Sequence, residues 1–517
     1  MRTSPITLRA STTLFLLAAL GFLYRFLFIP PFLPVENNGI ADSLLYLAPG
    51  QRMFEGDLIY KVVFEYVTPG TALVNFLMFK LFGLRLWIPD LLALLLGLGL
   101  VWLGVVVSRT MMRPGLALLP SAIFLVSRRA YLLDPTHHWY SVLAAIAAIA
   151  VLLERRTPAR IAAAGFFCGL SACFTQTRGL AVVAGFAFYL WWESRQRREG
   201  WRRLLGKESW LLASCLATFI AVNAYFISNA GFVRYLWCTI AFPLKYYPKG
   251  GPWNTFEAVT TEFPVYASLR TFVHPFGLWL SLFVTAPLLI LLFFVHYWRG
   301  SNKEPLDYWE RPMLVAIVGF FMLLGIAPAP DSVRMAMSGL PAFILLGWFL
   351  DSPRKIARAL AIGLAAGALI VAIDCFATRK PVPAGVLVTP QGKVGLTDRA
   401  LYEKYTWIQQ HTRPSQYFYE AGYAEVYFYL DLRNPTPLSE IQDTGYTTSE
   451  QITEVIHGLE QHQVQYILWE PGNLGTLPGS ANSSDDNIGP LRDYVQSNYT
   501  IAKVFSDSDE IWERKAE

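Results

Sequence analysis

Residues 91–108 read LLALLLGLGLVWLGVVVS, eighteen residues without a charge or a proline. In lipid such a segment satisfies its backbone N–H and C=O groups only by closing on itself as a helix. About 20 apolar residues cross the hydrocarbon layer. Comparable stretches recur near 10–29, 86–108, 114–128, 139–153, 159–175, 178–193, 209–228, 276–298, 312–328, 333–350 and 355–376. The pattern predicts a polytopic α-helical membrane protein with about 11 transmembrane helices. A composition that is 54% hydrophobic agrees with it. The stretch PGTALVNFLMFKLFG at 69–83 is shorter and holds Lys80, so it reads as re-entrant or interfacial.

The charges test this map. With the N-terminus cytoplasmic, the inner connections hold Arg109 and Arg113, Arg155, Arg156 and Arg160, the run from Arg195 to Lys207, Arg299 to Arg311, and Arg354 to Arg358. Each is basic, as the positive-inside rule requires. The net charge of +5 is thus a matter of topology and does not form a nucleic-acid-binding face. The expected location is the inner (plasma) membrane, multi-pass, with the C-terminal region extracytoplasmic. Arg2 and Arg9 precede an apolar run with no small-residue cleavage site after it, so the first segment reads as a retained anchor.

From residue 377 the chain turns polar. TDRALYEKYTWIQQH and TSEQITEVIHGLEQH carry helical spacing, and VQYILWE and YTIAKVF read as strands. Residues 377–517 are therefore expected to form a C-terminal soluble α/β domain, after a membrane domain over 1–376. His411, His457 and His462 are scattered within that tail, which shows no catalytic constellation. The five cysteines lack CxxC or Cys/His spacing and read as small apolar residues.

The first outer loop, 30–85, carries most of the chemistry. DSLLYLAPGQRMFEGDLIY begins at Asp42 and repeats apolar residues on one face. Such a stretch suits a helix lying flat at the interface with its tyrosines at headgroup level, and Asp42 would cap it.

The order Asp42, Tyr46, Gly50, Met53, Gly56, Tyr60 and Pro69, followed by KLFG at 80–83, resembles the first outer loop of GT-C membrane glycosyltransferases. That superfamily includes the dolichyl-phosphate-mannose–protein mannosyltransferases and the aminoarabinose–lipid A transferases. GLSACFTQTRGLAVVAG at 169–185 and DSVRMAMSGLPAFILL at 331–346 are similar to two later family segments. The resemblance covers about residues 10–376. This sequence departs from the family at Ser43, where a Glu is common, and at Gln176, where the family has Lys.

The resemblance implies a GT-C-like transferase that moves a sugar from a polyprenyl-phosphate donor to an acceptor hydroxyl on a lipid, glycan or protein, with inversion. Asp42 would then be the base that takes the acceptor proton. The leaving lipid phosphate needs cations, and Arg178 and Arg334 near the outer ends of helices are the candidates, with Lys245 in FPLKYYPKGG a third. For Arg178 the competing reading is a charge that snorkels to the interface. Tyr46, Asp134 and His138 complete the expected substrate-binding set. Neighbouring histidines at 137 and 138 point apart on a helix or strand, so no metal site is assigned. No cofactor is expected, and a divalent cation is the one addition these side chains could support. Partners are the lipid-linked donor, the acceptor and membrane lipids, with no nucleic acid. Two other functions stay open at this point: a transporter or flippase of lipid-linked sugars, and a catalytically degenerate binding protein.

Overall fold

The computed structural model describes residues 5–30, 33–34, 42–126, 133–265, 276–277, 279–351, 355–378, 382–477 and 486–516; Asp42 is described by its backbone only. The chain is mostly helical. Among the described residues five helices are long and apolar enough to cross a membrane: Ala10–Leu27, Ile88–Arg109, Trp201–Ala230, Leu280–Gly300 and Lys355–Asp374. Shorter apolar helices cover Gly70–Phe82, His137–Leu152, Pro158–Phe174 and Leu340–Leu350.

Two compact units can be drawn. One comprises Met1–Phe26, Leu92–Asn223 and Thr255–Lys380; the other comprises Leu27–Leu91, Ala224–Asn254 and Pro381–Glu517.

Among the described residues the regular structure of the first unit is all helical. Its centre is a hairpin of Pro158–Phe174 and Gln176–Gln196, joined at Thr175 alone. Gly179 allows so tight a turn: a Cβ there would sit 2.2 Å from Ala172 Cα. Small residues let helix backbones approach without a driving force from water. The expected single span 333–350 is in fact two helices, Ser332–Met337 and Leu340–Leu350. Pro341 lies in the first turn of the second helix, where it needs no amide partner, and it starts that helix afresh.

In the second unit the flat amphipathic stretch expected from Asp42 is also broken. It forms Asp42–Leu45 and Ala48–Glu55, because Pro49 opens the second helix. Gly56, at φ +111°, closes it. Asn75 Nδ2 donates to the Tyr46 carbonyl left over at the break, at 3.2 Å. Gly50 packs flush on the Gly70–Phe82 helix, where a Cβ would meet Asn75 Cβ at 2.5 Å.

The tail supplies eight-residue-or-longer helices at Arg399–His411, Ser449–Gln461 and Gly489–Asn498. The middle one starts with a capping box between Thr448 and Gln451. Numbering strands from two short ones, β1 (Phe28–Ile29) and β2 (Leu33–Pro34), the tail holds a hairpin of β3 (Gly385–Thr389) and β4 (Gly392–Leu396). A four-stranded sheet follows in the order β5-β6-β8-β7, with β5 Tyr419–Ala421, β6 Tyr466–Trp469, β7 Tyr499–Val504 and β8 Glu510–Arg514. β5 and β6 run parallel, and the other pairs antiparallel. Ile467, Trp469, Val455, Leu459, Leu491 and Trp512 form the core between sheet and helices.

Candidate functional site

In the first unit, Arg178 sits in the first turn of Gln176–Gln196 and is 0% exposed. It does not snorkel. Nη1 donates to the His138 carbonyl at 2.9 Å and to Ser141 Oγ at 2.8 Å. Among the described residues Nε and Nη2 have no hydrogen-bond partner, and the guanidinium makes no ion pair. A buried cation left this way is costly unless an anion completes it, and the two free N–H groups present the fork that an oxyanion accepts.

Arg334 comes from the Ser332–Met337 helix, which Asp331 caps by accepting from the Arg334 amide at 2.7 Å. The Asp331 carboxylate also pairs with Arg334 Nη1 at 3.0 Å. Arg334 Nε donates to His138 Nε2 at 3.4 Å, while His138 Nδ1 lies 3.5 Å from Arg178 Nη1. An arginine N–H can only donate, so His138 Nε2 accepts. His138 thus stands between the two guanidinium groups. His137 does not point away from His138 as its neighbouring position suggested: the two ring centroids lie 3.8 Å apart, and His137 Nδ1 is 2.9 Å from Thr175 Oγ1, whose hydroxyl donates to the His137 carbonyl. Asp134 is buried and accepts from Thr136 Oγ1 at 2.9 Å.

Of the expected set, His138, Arg178 and Arg334 are therefore brought together. Ser141 and Asp331 were missed. Ser141 lies one helical turn beyond His138, and Asp331 opens a cap motif, so both left a local signal.

The second unit holds Tyr46 and Lys245. Tyr46 Oη lies 3.1 Å from Tyr66 Oη. The Tyr66 ring packs with Phe242, Tyr247 and Tyr446 at centroid distances of 5.9, 5.5 and 6.5 Å. Tyr446 donates to Glu440 Oε2 at 3.1 Å. Burial pushes the Tyr66 and Tyr446 phenols up. Beside them Glu65 accepts from the Val67 amide at 2.9 Å, and burial raises its carboxyl to about 7. Phe242 and Tyr247, from the segment after Ala230, are thus packed around Tyr66, whereas Phe232 and Trp253 of the same segment are exposed. Lys245 is exposed, 4.9 Å from the Tyr246 ring centroid. Among the described residues no group of three or more His, Cys, Asp or Glu side chains is placed to hold a metal.

No protein-family model matches the sequence, and no curated protein matches it. A solved structure of ArnT from Cupriavidus metallidurans bound to undecaprenyl phosphate aligns over 98% of this chain and 98% of its own, with a TM-score of 0.60 at 14% identity. The chain shares the fold of ArnT. The apo state of the same ArnT agrees, with a TM-score of 0.58, 14% identity and 98% of each chain covered. The resemblance to GT-C glycosyltransferases read from the first loop thus holds at the level of fold. An ArnT-like fold gives the architecture of a multi-pass membrane protein; the chemistry has to be argued from the side chains.

Proposed function

We propose that this protein is an integral-membrane glycosyltransferase that moves a sugar from a polyprenyl-phosphate donor to an acceptor hydroxyl on the outer membrane face, with inversion. The observation that carries this reading is Arg178, fully buried with Nε and Nη2 unsatisfied among the described residues. A lipid phosphate is the anion such a group takes inside a membrane protein. The ArnT structure with undecaprenyl phosphate supports the same ligand class.

In this reading the sugar is transferred in one displacement. The Asp42 carboxylate accepts the proton of the acceptor hydroxyl as that oxygen bonds to the anomeric carbon. The bond from the anomeric carbon to the donor phosphate breaks, and its electron pair leaves on the phosphate oxygen. Arg178 and Arg334 neutralise the charge that gathers there, and His138 holds the two guanidinium groups apart. Tyr46 and the hydroxyls around it suit the hydroxyl groups of a sugar, and aromatic faces suit its ring. Asp134 and Lys245 take supporting places toward the acceptor and the phosphate. Residues 1–376 act as the transferase domain, with its catalytic loop at 30–85. Residues 377–517 act as an extracytoplasmic module for acceptor recognition.

The test is sugar transfer from labelled polyprenyl-phosphate sugars in reconstituted liposomes, with wild type beside Asp42→Asn. A folded variant that loses about a hundredfold or more supports the base assignment. A variant equal to wild type removes Asp42 from the chemistry and reduces it to a helix cap. Movement of donor lipid across the bilayer without transfer would replace the transferase reading with a transporter.

A further inference from the structure

The opposite end of the first unit holds a second polar site. The helix Gln176–Gln196 has 21 residues, so its two ends lie about 30 Å apart. Arg178 marks one end. At the other, a cavity of about 620 Å³ opens among the ends of Gln176–Gln196, Trp201–Ala230 and Leu306–Leu324 and the connection 154–157. Its lining includes the cations Arg155, Arg156, Arg197, Arg203, Lys207 and Arg311 and five carboxylates.

Four of the carboxylates are already engaged by these cations. Glu193 meets Arg156 at 2.9 Å and Lys207 at 3.2 Å. Glu199 meets Lys207 at 2.7 Å and Arg203 at 3.4 Å. Glu310 pairs with Arg197 and lies 3.6 Å from Arg156, and Asp307 lies 3.6 Å from Arg197. The fifth, Glu154, pairs at 2.9 Å with Arg160, which is outside the lining set. Among the described residues Arg155 and Arg311 make no ion pair, and both are exposed. The cavity thus carries two cations whose charge no carboxylate answers.

The surroundings say what kind of anion could reach them. Trp191, Trp201 and Trp298 lie near the same helix ends, 42%, 66% and 81% exposed. Exposed tryptophans at helix ends mark the level where headgroups meet acyl chains. The helix Trp201–Ala230 leaves this end with only 17% of its apolar window buried, an open face for hydrocarbon. A pocket between helix ends that keeps two arginines unanswered by carboxylates, beside exposed tryptophans and an exposed apolar face, has the form of an anionic lipid site.

We infer that this cavity binds the phosphate headgroup of an anionic phospholipid, through Arg155 and Arg311, on the membrane face opposite Arg178. The site does not depend on the proposed transferase activity. The paired network formed by Glu193, Glu199 and Glu310 would shape the pocket, and Arg155 and Arg311, the latter donating to the Thr110 carbonyl and not to a carboxylate, would select the charge.

The experiment uses the full chain purified in a neutral detergent and a native-mass or fluorescence readout of bound lipid. Phosphatidylglycerol and cardiolipin are titrated against phosphatidylcholine, and inorganic pyrophosphate is added as a competitor. The expected result is preferential retention of the anionic lipids. The double variant Arg155→Gln/Arg311→Gln is expected to bind them roughly tenfold more weakly, the order expected for two basic groups near a headgroup. Arg399→Gln, an exposed arginine in the tail, should bind as wild type. Three results would overturn the inference. One is equal retention of phosphatidylcholine, and the second is a double variant that binds like wild type. The third is complete displacement of lipid by pyrophosphate, which would mark a site for free oxyanions. The headgroup series on wild type needs no variant, so a misfolded double variant leaves the inference open to refutation.

Discussion

The two ends of the Gln176–Gln196 helix bury opposite charges in opposite ways. Near its end, Glu193 is 2% exposed and meets Arg156, Lys207 and, at 3.8 Å, Arg197. At its start, Arg178 is more deeply buried and makes only neutral contacts among the described residues. A buried charge with several partners is part of the scaffold, because its desolvation is offset inside the protein. A buried charge without them is left incomplete for something the chain does not contain. The difference separates structure from function on a single helix.

The largest effect that would break this comparison is at Arg178. Arg178→Gln should lower transfer about a hundredfold or more while leaving thermal stability equal or higher, since an uncompensated buried cation is removed. Loss of both activity and melting temperature in parallel would make Arg178 a structural residue like Glu193. The next effect runs the other way. Glu193→Gln takes one buried carboxylate from Arg156 and Lys207, which keep Glu310 and Glu199, and should cost stability by up to about 3–5 kcal/mol. Turnover per folded molecule should stay near wild type, read from denaturation in detergent alongside transfer. A stable Glu193→Gln protein with lost activity would erase the contrast.

The smallest effect sharpens the comparison outside the membrane segments. Glu65 is a third buried charge, a carboxyl raised by burial to about 7 against an ordinary 4.5. A carboxyl whose folded value lies above its unfolded one keeps its proton longer in the folded chain. Its contribution therefore weakens as pH rises from about 4.5 to about 7, and then levels off. The melting temperature should fall modestly across that window, and Glu65→Gln should flatten this part of the slope. A melting temperature that rises through the same window in wild type, and does so equally in Glu65→Gln, would show that Glu65 is charged throughout. It would then join Glu193 as an answered charge.

Much of the architecture was legible because membrane helices announce themselves. The helix Ile88–Arg109 agrees closely with the apolar run 86–108, and Lys355–Thr378 with 355–376. The tail helices were legible from caps, as at Thr448, where side chain and backbone exchange hydrogen bonds within four residues. β3, β4, β5 and β8 were not. They are three to five residues long, and what defines them is the neighbouring strand. The breaks at Tyr46–Leu47 and Ser338–Gly339 escaped for another reason: apolar periodicity runs through both, and the prolines that restart the helices lie two residues beyond each break.

The sequence by itself determined that this chain is a multi-helix membrane protein with basic short loops and a polar tail. Those properties follow from local hydrophobicity and charge, which lipid and water read one segment at a time. It also named His138, Arg178 and Arg334 as candidates. Only the tertiary structure decided that Arg178 is buried without an acidic partner among the described residues, while Glu193 on the same helix has three cationic ones. Whether a charge is answered depends on side chains as distant in sequence as His138 and Arg334, and long-range proximity is set by packing alone.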